Sequence, residues 1–306
     1  MARPTLRQIE YAIAVAQERH FGRAAELAQV SQPGLSGQVA ELERRLGVSL
    51  FERSSRSVTP TPVGALLIER FRAVLREIDD LSGIAAQHEG TIRGTLFIGA
   101  IPTMAPYLLP PIVATIKKRF PDVHLRFEEL RTAQLVAMLE AGSINVGLLG
   151  VPFNTGGLHV EVLAKDPFHL ALPFGHRLTG STPVSFSALN ELDVLLLEPG
   201  HCLRSHVAEA CGIDPLVAGP GRELFASSLA TLVQLVASGE GVTLLPKSAL
   251  EVEARAGSGI VTRPFRSPAP SRSIALSWRP SDPYASLYLE LSVTLRTTFT
   301  GWLKDR

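Results

Sequence analysis

Two cysteines, Cys202 and Cys211, are the residues of this chain whose type and spacing could do redox chemistry. They are its only cysteines, which is too few for a secreted disulfide scaffold, and a permanent disulfide is not expected in a reducing compartment. Two hypotheses stay open from the residues themselves. The cysteines are either unreactive thiols of a core or a pair that is oxidised and reduced reversibly.

The segment GHCLRSHVAEAC, which carries both cysteines, predicts a short helix. Its apolar positions recur at helical spacing: Leu203, Val207 and Ala210. Cys202 then lies in the first turn, where free amide groups and the helix dipole favour a thiolate, and His201 and Arg204 add positive charge nearby. Cys211 falls on the apolar side of this helix, and we expect it to pack against the core.

The spacing of the two cysteines limits how they could be joined. Nine residues at 100° each make two and a half turns, so the thiols of a continuous helix point to opposite sides, with α-carbons about 13–14 Å apart. A disulfide needs α-carbons within about 7 Å. Bond formation would therefore require the helix to unwind locally, which is how a two-state switch can be built.

The composition describes the molecule that must position this pair. The chain has 306 residues, 30 Lys+Arg against 29 Asp+Glu, and 45% hydrophobic residues, which predicts a soluble protein with more than one core. Its longest apolar stretches, such as the one ending in Val242–Pro246, are too short for a membrane helix, and Met1–His20 carries charges throughout. We therefore expect a cytoplasmic protein without a signal peptide or a membrane partner.

The pattern of the first sixty residues predicts a helix-turn-helix followed by a wing. Leu6, Ile9, Ile13 and Ala16 mark one helix, Gly22–Ala28 a second, and Ser31 caps a third that ends at Gly47. In this arrangement the last helix enters the DNA major groove with its N-terminal residues at the base edges. The predicted DNA-binding residues are Ser31, Gln32, Pro33, Ser36 and Gln38 on the helix, and Arg53 and Arg56 at phosphates contacted by a wing over Val48–Pro60.

A long amphipathic helix follows Pro62. Its apolar positions alternate at spacings of four and three, as in a heptad seam: Leu67, Phe71, Val74, Ile78, Leu81 and Ala85. An isolated helix of this length is marginal in water, so the stripe needs a partner. The favoured partner is a second copy of the chain, and the alternative is the helix's own domain.

From Thr91 onward, short apolar strands alternate with helices, which predicts an α/β domain with largely parallel sheets. The chain is expected to leave one sheet near Ala164 and to return near Arg272, which suggests two subdomains with a cleft between them. Such a cleft is the default place for a ligand. No Gly-rich phosphate loop, zinc-ligand spacing or G-x-S-x-G elbow is present in the sequence. We accordingly expect no cofactor, no metal and no enzyme.

The segment Leu6–Pro62 resembles the winged helix-turn-helix of the LysR-type transcriptional regulators, most specifically in the string SQPxLSxQVxxLExxLGxxLFER from Ser31. In that family the long helix is a dimerisation arm, and the C-terminal domain has the architecture of periplasmic solute-binding proteins. The resemblance therefore implies double-stranded promoter DNA as a partner, a homodimer that assembles to a homotetramer, and contact with RNA polymerase.

Three segments also resemble the OxyR-type peroxide sensors within that family: GHCLRSHVAEAC, Gly99–Pro110 and Leu130–Leu139. This resemblance implies hydrogen peroxide as the signal, Cys202 as the peroxidatic residue, Cys211 as the resolving residue, and a cellular thiol as the reductant. Thr103 and His201 match the pair that positions the peroxide. Thr132 matches a further threonine of that pocket, and Arg272 a basic residue associated with the thiolate. Ser205 stands where the family often has an acidic residue.

The sequence thus predicts an α+β protein of three parts: a winged helix-turn-helix at 1–62, a linker helix at 63–90 and a regulatory domain at 91–306. Subdomain I takes about 91–164 and 270–306, and subdomain II about 165–269. The predicted function is a peroxide-sensing activator or repressor switched by a reversible Cys202–Cys211 disulfide. One alternative is a regulator that senses a metabolite in the cleft and has incidental cysteines. A thiol peroxidase fused to a DNA-binding head is disfavoured, because there is one cysteine pair and no separate catalytic domain.

Overall fold

The fold is taken from a computed structural model, which describes residues 3–53, 58–87, 94–180, 183–212 and 225–304. The chain divides into two compact units, Met1–Thr91 and Ile92–Arg306. Within the described ranges, no helix is both long enough and apolar enough to cross a membrane.

The first unit is a helix-turn-helix with a two-stranded wing, as predicted. Its elements are α1 (Leu6–Glu18), α2 (Phe21–Leu27), α3 (Gln32–Leu46), β1 (Phe51–Arg53), β2 (Val58–Pro60) and α4 (Pro62–Gln87). α3 begins where the Ser31 hydroxyl accepts a hydrogen bond from the Gly34 amide, and it ends where Gly47 takes a left-handed conformation at φ +71°. Leu35, Val39 and Leu42 are fully buried against α1 and α2, which fixes the orientation of the α3 surface.

The linker helix α4 departs from the predicted heptad seam. Phe71, expected to await a partner, is only 6% exposed and packs with Ile68 in the core of the first unit. Among the described side chains of α4, Val63, Leu66 and Val74 are the large apolar ones that are exposed, and of these Val74 belongs to the predicted seam. The seam prediction is therefore wrong for Phe71, because a stripe of alternating fours and threes fits a helix packed on its own domain as well as it fits a coiled coil.

The second unit is built from strands and helices that are listed here in chain order: β3 (Gly94–Ala100), α5 (Ala105–Arg119), β4 (Val123–Glu129), α6 (Thr132–Glu140), β5 (Val146–Val151), β6 (His159–Pro173), β7 (Leu196–Leu197), α7 (Cys202–Cys211), β8 (Phe225–Ala226), α8 (Leu229–Ala237), β9 (Thr243–Pro246), α9 (Leu250–Glu253), β10 (Ile260–Pro264), β11 (Ser271–Trp278) and α10 (Ala285–Lys304). Short 3-10 helices lie at Phe186–Glu191 and Lys247–Ala249.

Seven strands form one sheet in the order β10-β6-β11-β5-β3-β4, with β9 also paired to β6. β4 and β5 run parallel to β3, whereas β11 is antiparallel to both β5 and β6, and β6 is antiparallel to β9 and β10. The expectation of largely parallel sheets therefore holds for β3, β4 and β5 and for the separate pair of β7 and β8, and it is wrong for β6, β9, β10 and β11. β5 and β6 run in the same direction, but β11 is inserted between them and runs against both.

The 15-residue strand β6 joins the two halves of this unit. Its residues up to Pro167 pair with β11, and its residues from Phe168 onward lie between β9 and β10. The chain returns beside it, where the Phe168 amide donates a hydrogen bond of 2.8 Å to the Pro270 carbonyl. Asp166 and Arg272 face each other across β6 and β11, immediately before this crossing.

Candidate functional site

The two cysteines lie at the ends of one helix. α7 begins at Cys202 and ends at Cys211, after which Gly212 takes a left-handed conformation at φ +63°. The predicted helix and its nine-residue spacing are therefore present, and no disulfide joins the two cysteines. Cys202 is only 4% exposed, whereas Cys211 is half-buried at the edge of the core. Cys211 packs against the core as expected but is only partly buried, so it is the more accessible of the two thiols.

The carboxyl ends of the three parallel strands supply the surroundings of α7. Thr103 follows β3, Thr132 follows β4 as the first residue of α6, and Pro152 follows β5. The Pro152 carbonyl accepts a hydrogen bond of 2.8 Å from Nε2 of His206, which lies one turn after Cys202. This edge of a parallel sheet is where ligands bind in α/β folds.

Arg131 ties the start of α6 to the start of α7. Its guanidinium donates hydrogen bonds to the Glu198 carboxylate at 3.0 Å and to the Pro199 carbonyl at 3.3 Å. Gly200 has φ +98°, and a Cβ there would lie 3.2 Å from Arg131 Cδ, so the close approach requires glycine. This contact brings the start of α6, where Thr132 follows Arg131, next to the segment that leads into α7.

His201 is the N-cap residue of α7, but its side chain makes no capping hydrogen bond. The imidazole is buried, and burial together with the nearby Arg131 charge lowers the pKa of His201 below 6.5. A neutral imidazole has one donor and one acceptor nitrogen, so it can bind both a hydroxyl hydrogen and an oxygen.

Two buried polar atoms at this site lack a hydrogen-bond partner within the described part of the chain, the Thr132 hydroxyl and Nδ1 of His206. Thr132 is 1% exposed, so its hydroxyl has lost water without gaining a protein partner. Such an atom costs free energy unless something else binds it. A small polar molecule bound beside Thr132 would satisfy it.

Thr103 and Arg272 are in direct contact. The Arg272 guanidinium donates to the Thr103 hydroxyl at 3.0 Å and to the Thr103 carbonyl at 2.9 Å. It also forms an ion pair with Asp166 through Nε at 3.0 Å. Arg272 thus joins Thr103 to Asp166, and its association with the thiolate stays a prediction.

His206 is the residue of this site that sequence reasoning did not assign. A Cβ on Gly150 would lie 3.3 Å from the His206 ring, 3.4 Å from Met104 and 3.6 Å from Arg272, so these three side chains converge on one backbone position. The signal for His206 was its i+4 spacing from Cys202, which puts both side chains on one face of α7. Arg204, expected to support the thiolate, donates to the Leu197 carbonyl at 2.8 Å and lies over the ring of Phe225.

The predicted nucleic-acid interface lies at the start of α3. Gln32, Pro33 and Ser31 are exposed there, and Ser36 is half-buried. Gln38 is exposed and accepts a hydrogen bond of 3.1 Å from Gln8 of α1, so part of its amide is engaged inside the unit. The side chain of Arg53 and the whole of Arg56 lie outside the described residues.

Two protein families match the chain, and the second match begins close to the boundary between the two units of the fold. Residues 6–65 match the bacterial regulatory helix-turn-helix protein of the lysR family, and residues 89–296 match the LysR substrate binding domain. The chain is 39% identical to the hydrogen peroxide-inducible genes activator of Pectobacterium carotovorum subsp. carotovorum, over 98% of both chains.

Solved structures agree with this assignment. A full-length OxyR variant from Pseudomonas aeruginosa superposes with a TM-score of 0.73 at 35% identity, covering 97% of this chain and 96% of that one. An H2O2-bound OxyR mutant from Corynebacterium glutamicum gives 0.67 at 33% identity, covering 99% and 95%. The two family matches span nearly the whole sequence with a DNA-binding head and a regulatory domain, and the chain belongs to the LysR family of transcriptional regulators.

Proposed function

We propose that this regulator senses hydrogen peroxide at Cys202 and reports it through a reversible Cys202–Cys211 disulfide. The observation that carries the proposal is the assembly at the start of α7: a buried thiol, a neutral His201 and a buried, unpartnered Thr132 hydroxyl. The peroxide-inducible activator and the H2O2-bound OxyR mutant to which the chain is similar support the same signal.

In the first step the Cys202 thiolate attacks one oxygen of the peroxide. An S–O bond forms, the O–O bond breaks, sulfur loses two electrons and hydroxide departs, leaving a sulfenic acid. Thr103, Thr132 and His201 would hold the peroxide and donate hydrogen bonds to the departing oxygen. Arg272 acts through Thr103, with which it shares two hydrogen bonds.

In the second step the Cys211 thiol attacks the sulfenic sulfur and water leaves. The cysteines occupy opposite ends and opposite sides of α7, so this step requires α7 to unwind. A cellular thiol reductant restores the two thiols by exchange. Because the two matched families are those of transcriptional regulators, the chemistry is proposed to serve as a signal and not as turnover of peroxide.

The signal would be read at promoter DNA. We propose that Ser31, Gln32, Pro33, Ser36 and Gln38 contact bases, that Arg53 and Arg56 contact phosphates, and that homodimers pair into a homotetramer in the cytoplasm. Unwinding of α7 would change how the regulatory domains pair, and with it the spacing of the DNA-binding heads. RNA polymerase is the proposed final partner.

Thiol counting tests the proposal. The reduced protein should have two free thiols and should lose both within seconds of adding one equivalent of peroxide, with full recovery after a dithiol reductant. The matched variant Cys211→Ser should instead accumulate a sulfenic acid on Cys202, detectable by dimedone trapping and mass spectrometry. If both thiols of the parent stay free, peroxide sensing is wrong, and a metabolite ligand of the cleft becomes the function to test.

A further inference from the structure

Four side chains form a buried network behind the proposed peroxide site. Arg272 connects Thr103 to Asp166, and Asp166 in turn accepts two hydrogen bonds from Ser248, one from its amide at 2.9 Å and one from its hydroxyl at 2.7 Å. We call Thr103, Arg272, Asp166 and Ser248 the arginine network. Its members come from the loop after β3, from β6, from the 3-10 helix Lys247–Ala249 and from β11.

The network determines which way the Thr103 hydroxyl hydrogen points. A guanidinium donates hydrogen bonds and cannot accept them, so the Thr103 oxygen is the acceptor in its contact with Arg272. The second bond, from Arg272 to the Thr103 carbonyl, fixes the guanidinium plane relative to the backbone. The described residues offer no acceptor bonded to the Thr103 hydrogen, which is therefore left to donate to a molecule in the site.

Asp166 and Ser248 hold Arg272 in this orientation. Asp166 accepts from Nε, the two terminal nitrogens donate to Thr103, and one of them also donates to the Ser248 hydroxyl at 3.5 Å, while Ser248 donates to both oxygens of the carboxylate. Both charged side chains of the ion pair are 0% exposed. A buried ion pair is weak support for stability, since its desolvation offsets most of the attraction, so its presence here favours a role in orientation.

We propose that Asp166 and Ser248 are positioning residues for peroxide reduction and act through Arg272 on Thr103. This inference rests on the proposed function. As the O–O bond breaks and negative charge develops on the departing oxygen, the Thr103 hydroxyl donates a hydrogen bond to it, and Cys202 sulfur retains the other oxygen. Without Asp166 the guanidinium turns, the Thr103 hydrogen loses its fixed direction and the departing oxygen loses its donor.

The test compares two reactions of the same thiol, in full-length protein carrying Cys211→Ser. Peroxide oxidation of Cys202 needs the donor, whereas alkylation of Cys202 by iodoacetamide does not. We expect Asp166→Asn to slow the peroxide reaction by about tenfold or more, because one oriented donor is lost, and to change alkylation less than about twofold. Ser248→Ala, which keeps the ion pair, should slow peroxide alone by a smaller factor. Glu240→Gln, at an exposed carboxylate, is the matched control.

A variant cycle with Thr103→Val separates positioning from a structural effect. If Asp166 acts through Thr103, then Asp166→Asn should add little to the loss already caused by Thr103→Val. Equal slowing of both reactions, or the same loss in the Thr103→Val background, would overturn the inference. Should Asp166→Asn fail to fold, Ser248→Ala decides the same question by the same ratio. A parent Cys202 that does not react with peroxide at all would instead refute the proposed function.

Discussion

Thr103 and Thr132 are both buried, yet their hydroxyl groups differ in what they bind. Thr103 accepts a hydrogen bond from Arg272, whereas the Thr132 hydroxyl has no partner in the described structure. A buried group without a partner lowers stability, and a group with one maintains it. At the residue scale, this contrast indicates that the Thr132 hydroxyl serves a ligand, whereas the Thr103 hydroxyl also stabilises the fold.

We therefore predict opposite effects of two matched substitutions. Thr132→Val should leave the free energy of unfolding unchanged or raise it by roughly 1 kcal/mol, because it removes an unsatisfied hydroxyl, and Thr103→Val should lower it by about 1–3 kcal/mol. Both should slow oxidation of Cys202 by peroxide. Denaturant unfolding and stopped-flow oxidation measure the two quantities. Strong destabilisation by Thr132→Val would show that its hydroxyl has a structural role.

The histidine one turn beyond Cys202 predicts a dependence of stability on pH. Burial lowers the pKa of His206 below 6.5, with Arg272 adding to the effect and the hydrogen bond to Pro152 and the charge of Glu209 opposing it. The unfolded chain therefore binds more protons than the folded one just below pH 6.5, so stability is lost as the pH falls through that value.

His206→Gln, whose amide can still donate to the Pro152 carbonyl, should make this loss shallower. Thermal unfolding of the regulatory domain at pH 7.5 and pH 5.5 measures it, and His124→Gln, at an exposed histidine, is the control. Since burial also lowers the pKa of His169, His176 and His201, part of the dependence will persist in His206→Gln. If the melting temperature changes between pH 7.5 and pH 5.5 by the same amount in His206→Gln as in the parent, His206 does not contribute to the pH dependence.

At the scale of the elements, α4 presents two faces with different roles. Phe71 is buried within the first unit, and Leu66, at 71% exposure, is not. We predict that Phe71→Ala lowers the free energy of unfolding of this unit by about 3–5 kcal/mol, whereas Leu66→Ala changes it by less than about 0.5 kcal/mol.

Self-association, in contrast to stability, should be sensitive to substitution of Leu66. If the exposed face of α4 forms part of the proposed dimer, Leu66→Glu should raise the dimer dissociation constant in analytical ultracentrifugation while the melting temperature of the separated chain stays the same. Dimerisation unaffected by Leu66→Glu would mean that the dimer is held by another surface.

Local periodicity predicted the elements whose residues are neighbours in sequence. α7 and its two cysteines followed from the helical spacing of Leu203 and Val207, and α3 from Ser31 and Gly47. The strands β6 and β11 were missed in large part, because Lys165, Asp166 and Arg272 interrupt their apolar pattern. Of these three, Asp166 and Arg272 are paired by the register of β6 and β11 and are buried, whereas Lys165 is exposed.

The arginine network could not be predicted for the same reason. Asp166 is 82 residues from Ser248 and 106 from Arg272, and only the sheet brings them together. Burying a charge in a strand costs free energy unless the charge is paired. The charges in β6 therefore indicated that partners exist, but they did not identify those partners. Cys211 was also predicted to be more buried than it is, because it lies at the last residue of α7, where it packs against the edge of the core.

At the scale of the whole molecule, a redox change in the regulatory domain should alter DNA contacts made by the other unit. Footprinting of a palindromic promoter site should give protection patterns that differ between reduced and peroxide-treated protein, because the proposed disulfide changes how regulatory domains pair. Cys202→Ser should give the reduced pattern under both conditions. An identical footprint of the parent before and after oxidation would refute the switch while leaving DNA binding intact.

The continuous strand β6 determines what kind of motion can carry that change. A strand of 15 residues at about 3.3 Å per residue spans about 50 Å and cannot stretch, and the Phe168–Pro270 hydrogen bond holds the returning chain beside it. The two halves of the regulatory domain therefore keep a fixed separation at this crossing and retain mainly rotation about it. Rearrangement of α7 would accordingly rotate one half of the domain relative to the other. The angle of that rotation is the quantity that a neighbouring subunit would sense.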